Sequence, residues 1–170
     1  MKRIFVFIGL IWFSTAHSEE KMSVLAVSGQ WMAASHSVSQ TAAPDICVAA
    51  HAQSGLGFRA QNGVTELRMS NSAWSLPTDV AGMVALNIKD KQFELLIGGN
   101  TDSSISAEVP DETALEMLAL MDKSKVMTIV VGKAKPMNIS LSGSSRALNA
   151  FRTCAHIRGN NEEAGSNPFK

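Results

Sequence analysis

Phe58-Arg59-Ala60-Gln61-Asn62-Gly63-Val64-Thr65-Glu66-Leu67-Arg68-Met69-Ser70 is the stretch from which the architecture is read. Asn62-Gly63 separates two extended pieces, and both residues tolerate the positive φ that a type I′ turn needs. After the turn, Thr65, Leu67 and Met69 alternate with Val64, Glu66, Arg68 and Ser70. Period two is the pattern of a half-buried strand, here with Leu67 and Met69 turned inward. Strands joined by so short a turn run antiparallel, so this hairpin commits the chain to an antiparallel sheet.

The same signals continue outward. Toward the N-terminus, Ile46–Ala52 reads as a strand carrying Cys47. It follows a loop at 39–45 whose turn chemistry is Thr41-Ala42-Ala43-Pro44-Asp45, and Val27–Val38 reads as a first strand containing Trp31. Residues 19–28 are polar enough to be expected as a mobile lead-in. Toward the C-terminus, Met83–Ile88 and Gln92–Ile97 flank the charged turn Lys89-Asp90-Lys91, with Gly98-Gly99-Asn100 expected to end that hairpin and Ile105–Val109 to add a short strand. Pro110-Asp111-Glu112 then opens a helix, because proline suits the first turn and acids suit the positive end of the dipole. Leu115, Leu118 and Met121 give it an apolar stripe, with Met117 and Leu120 on its flank. Val126–Val131 and the alternation of Met137, Ile139 and Leu141 are two more strands. Gly143-Ser144-Ser145 stops the last and offers an N-cap to a second helix with Ala147, Leu148, Phe151 and Cys154 on its buried face. Helices do not alternate one for one with strands. The expected class is therefore α+β: a twisted antiparallel sheet, or a partly closed barrel or sandwich, with two helices in the C-terminal half.

The N-terminus is an address. Met1-Lys2-Arg3 precedes the apolar run Ile4–Phe13, and Ala16 and Ser18 occupy the small-residue positions of a cleavage site, so residues 1–18 are expected to be a signal peptide. Ten helical residues rise only about 15 Å against a hydrocarbon core of about 30 Å, too short for a span. The expected location is the periplasm or the exterior, with no membrane span after cleavage. The 170 residues fit one domain, expected at 29–157, followed by a polar tail at 158–170. The full chain has 15 basic and 15 acidic side chains. Losing Lys2 and Arg3 leaves a small negative charge, which argues against a nucleic-acid binder. Cys47 and Cys154 are the two cysteines. In an oxidising compartment they are expected to pair, closing a long loop.

Chemistry is harder to find. Ser142-Gly143-Ser144-Ser145-Arg146 lies between a strand and a helix. It reads first as an ordinary capping turn. It also admits an anion site at Ser144, Ser145 and Arg146, since free amides at a helix start attract anions. A third reading makes one serine of 142, 144 or 145 a nucleophile served by His36, His51 or His156, although the second glycine of a nucleophile elbow is absent. A metal site from Cys47, His51, Cys154 and His156 can be written down, but the disulfide is the commoner use of exported cysteines. Glu108, Asp111, Glu112 and Glu116 cluster at a helix start, where acids serve the dipole. No cofactor motif occurs, and none is expected to bind.

Gln30-Trp31, Cys47-Val48-Ala49, Leu67-Arg68-Met69-Ser70, Leu76–Ile88, Leu115–Leu120 and Ile139–Phe151 follow one another in an order and spacing that resemble the invasion-associated locus B family of small exported bacterial proteins. The likeness is a distant one over residues 30–152. Members of that family tend to carry a further cysteine pair before the middle helix, where this chain has Gly98–Ser104, and Cys154 has no obvious counterpart. The resemblance implies an exported, non-enzymatic protein with a protein partner in the cell envelope or on a host surface, and it offers no catalytic residues. The competing reading is a small periplasmic hydrolase built on the 142–145 turn.

Overall fold

A computed structural model describes residues 20–157 except Thr78. The expected signal peptide and the expected tail lie outside the described residues. Among the described residues there are ten strands: β1 (Lys21–Ser28), β2 (Trp31–Ser37), β3 (Ile46–His51), β4 (Leu56–Gln61), β5 (Val64–Ser70), β6 (Ala81–Ile88), β7 (Lys91–Thr101), β8 (Ser104–Glu108), β9 (Val126–Val131) and β10 (Met137–Ser140). Two helices, α1 (Asp111–Asp122) and α2 (Ser144–Ala155), fall in the C-terminal half. The strands make one sheet in the order β1-β2-β3-β4-β5-β8-β7-β6-β9-β10, and every pairing is antiparallel. The class is α+β, as expected, and the sheet stays open instead of closing into a barrel.

The 58–70 hairpin forms with Gln61 opposite Val64 and with positive φ at Asn62 and Gly63 (52° and 76°). Alternation governs β4, β5, β6, β9 and β10. Phe58, Leu67, Met69, Leu86, Ile88, Met127, Ile129 and Ile139 are buried on one face, and the other carries mostly charged or small side chains together with exposed Val64, Met83 and Val126. α2 lies on that inner face over β1, β2 and β3, and it also touches α1. Its Phe151 meets Phe58 with ring centroids 6.1 Å apart. Met117, Leu118 and Met121 of α1 are buried in the same core, so the methionine stripe is packing and not a free surface.

Two boundaries differ from the sequence reading. The expected lead-in 19–28 is in large part β1, paired along its length with β2, and the expected single strand at 27–38 is two strands joined at Gly29-Gln30. Backbone pairing, not side-chain polarity, decides here: a strand whose amides and carbonyls find a neighbour tolerates serines. β7 likewise does not end at Gly98. It runs to Thr101, pairing first with β6 and then with β8, with an irregularity between Gly99 and Thr101. A glycine-rich segment bends a strand without ending it.

The sheet curls so that its two ends approach at one corner. Trp31 of β2 donates its indole N–H to the Ser140 carbonyl of β10 at 2.9 Å. Beside it the β1–β2 turn meets the β10–α2 connection. A Cβ on Gly143, where φ is +83°, would lie 2.6 Å from the Ser28 carbonyl oxygen.

Candidate functional site

Cys47 and Cys154 are bonded to one another, with Cα atoms 5.9 Å apart, inside the range that suits a disulfide. The bond ties β3 to the last turn of α2. Among the described residues no cluster of three or more His, Cys, Asp or Glu is arranged to hold a metal ion.

The serine turn is differently built from the sequence expectation. The cap position is Gly143 in the left-handed region, and no side chain caps the helix. Ser144 is fully buried and its hydroxyl has no partner among the described residues, whereas Ser145 is half-buried and Arg146 exposed. The three candidates for an anion site therefore do not converge on one solvent-facing point.

Among the described residues no hydrogen bond joins a histidine to Ser142, Ser144 or Ser145. His36 Nδ1 lies 2.7 Å from an Asp45 carboxylate oxygen, and its Nε2 is 3.5 Å from Glu20. The Asp45 hydrogen bond is the main reason the His36 pKa is raised, and in return the His36 contact lowers that of Asp45. His51 Nδ1 is 3.0 Å from the Ser54 hydroxyl, which also accepts a hydrogen bond from the Leu56 amide at 3.3 Å. Ser54 is thus a turn residue, and no carboxylate backs His51, whose Nε2 is buried without a partner among the described residues. Burial lowers the His51 pKa. His156 is exposed just past the C-terminus of α2, and Ser144 begins the same helix, so the helical rise sets them about 18 Å apart. Sequence reasoning missed both His36–Asp45 and His51–Ser54, because each pair is made by a loop folding back on a strand end and leaves no motif.

Two adjoining depressions open beside α2. One, of about 440 Å³, lies between Leu25 of β1, Pro44, and Asn149, Ala150, Thr153 and Cys154 of α2. The other, of about 450 Å³, shares Pro44 and Cys154 as wall and continues past the C-terminal end of α2 to Asn62, Asp45 and Asp111. The first is mainly apolar; the second is bordered by the carboxylates of Asp45 and Asp111 and, among the described residues, by no lysine or arginine.

β1 is an end strand of the sheet and has no neighbour on its outer side among the described residues. Its outer face is apolar, while the other carries Lys21, Ser23, Ala26 and Ser28. A bulge at Leu25 shifts the register, so that Met22, Val24 and Val27 all lie on the outer face opposite His36, Ala34 and Met32. Their exposures are 69%, 67% and 60%. Leu25, the unmatched residue, is the one that borders the apolar depression.

The crystal structure of invasion associated protein B from Bartonella henselae is similar to this chain at a TM-score of 0.40 and 16% identity, over 75% of this chain and 95% of that one. This is a likeness of structure alone. No family model matches the chain, and no curated protein does.

Proposed function

We propose that this is an exported, non-enzymatic interaction protein that docks a protein partner of the cell envelope or a host surface at the β1 end of its sheet. Its membership of the invasion-associated locus B family is part of the same proposal. The observation that carries it is β1 itself. Natural edge strands are usually guarded by charge, proline or brevity. β1 is eight residues long, has no proline, and carries a single charge at Lys21. Its row of exposed Met22, Val24 and Val27, extended by Met32, is the kind of apolar surface that marks an interaction site. The n-region, apolar run and small-residue exit of residues 1–18 support export, and the paired cysteines suit an oxidising compartment. Among the described residues no helix is long and apolar enough to cross a membrane.

Affinity capture from envelope extracts tests this, with the mature protein and its Val24→Asp, Val27→Asp double variant side by side. One reproducible partner, held by the native protein and lost by the variant while the variant keeps its thermal transition, is the expected result. Turnover of a small ester or amide by the purified protein, abolished by Ser54→Ala or by changes at the 142–145 serines, would overturn it.

A further inference from the structure

We propose that the two adjoining depressions beside α2, bordered by Leu25 in one and by Asp111 in the other, together bind an extended peptide with an aliphatic side chain at one end and a lysine or arginine a few residues away. This rests on the interaction reading and names the chemistry of what is bound. The apolar depression and the acidic one share Pro44 and Cys154, so one chain crossing the disulfide reaches both. Each is within the size that pockets for small ligands have. Leu25, Ala150 and the Thr153 methyl offer an aliphatic group a place out of water. At the other end Asp45 and Asp111 face a space that contains no lysine or arginine, so a cation is the complementary charge. Asp45 engages His36 through one carboxylate oxygen. Asp111 stands in the first turn of α1.

The test is fluorescence polarisation with a positional-scanning library of labelled octapeptides, on the oxidised mature protein. The expected result is selection of Val, Leu or Ile at one position together with Lys or Arg three to five positions away. Thr153→Arg, at an exposed position that fills the apolar depression, should weaken the selected peptide at least tenfold. Asp111→Asn, also exposed, should remove most of the preference for Lys or Arg over Gln and leave the aliphatic preference in place. Selection of acidic or wholly polar peptides, no selection, or binding indifferent to Thr153→Arg overturns the proposal. Binding seen only after the chain is cut behind Ile157 would assign the depressions to residues 158–170 of this chain, and a dimer dispersed by Thr153→Arg would assign them to a second copy; each also overturns the proposal. If no peptide binds while an envelope partner is still captured through Val24 and Val27, the peptide proposal fails and the interaction reading stands.

Discussion

At His36 the imidazole is held by the Asp45 carboxylate at 2.7 Å, and its pKa rises. At His51 burial against Trp31, with ring centroids 5.3 Å apart, disfavours the charged form, and the pKa falls. The two histidines therefore give pH dependences of opposite sign. A histidine with a raised folded pKa contributes stability in full below its unfolded value of about 6.5 and loses it as pH climbs through the higher folded value. Asp45, with a lowered pKa, contributes above the ordinary carboxylate value of about 3.9 and loses that as pH falls. The pair is accordingly most favourable between those two ordinary values. Because burial lowers the His51 pKa, below about pH 6.5 the unfolded chain binds more protons than the folded one and stability drops as acid is added. Urea unfolding between pH 5 and 8 should show His36→Gln removing a loss of stability on the alkaline side and His51→Gln removing a loss on the acid side. Identical profiles for both variants would contradict the assignments. None of this was visible in the sequence, where His36, His51 and His156 carry no motif. Their partners Asp45 and Ser54 become partners only when a loop returns to a strand.

The elements were more legible. Strict alternation marked β5 and β10, Asn62-Gly63 marked the turn, and Pro110-Asp111-Glu112 marked the start of α1, because each signal is local and needs no distant neighbour. β1 was missed because its bulge at Leu25 breaks the period that would have announced it: Met22 and Val24 are two apart, and Val27 is three further on. The start of α2 was half read. The turn was found, but its cap is the backbone of Gly143, not a serine hydroxyl, since the Ser28 carbonyl crowds that point. This gives a prediction for the element. Gly143→Ala adds a Cβ 2.6 Å from the Ser28 oxygen and forces alanine to φ +83°. It should cost about 1–3 kcal/mol, measured as a lowered urea midpoint with unchanged slope. A neutral outcome would mean that the β1–β2 turn and the α2 start do not meet as described.

For the whole molecule the largest single constraint is the disulfide, which joins residues 107 apart in sequence. The chain-entropy account puts its stabilisation at about 4–5 kcal/mol, and removal of such bonds from exported domains costs about 2–5 kcal/mol. Reduction, or the Cys47→Ser, Cys154→Ser double variant, should lower the urea midpoint accordingly; an unchanged midpoint would show that the reduced chain is equally constrained. The pairing was legible once export was expected from residues 1–18, because two thiols in an oxidising compartment would have few alternatives. By itself the sequence determined the class, the antiparallel pairing, the inward face of most strands and the covalent tie. These follow from side-chain period, turn chemistry and composition, all of which act over a few residues or over the chain as a whole. Only the tertiary structure decided which strand stands at the end of the sheet, that the two ends curl together at Trp31 and Ser140, and that Pro44 and Cys154 border both depressions beside α2, one with Leu25 and the other with Asp111. Those residues are brought together by the order of strands in the sheet and the placement of α2 across it, and no local pattern encodes a neighbour a hundred residues away.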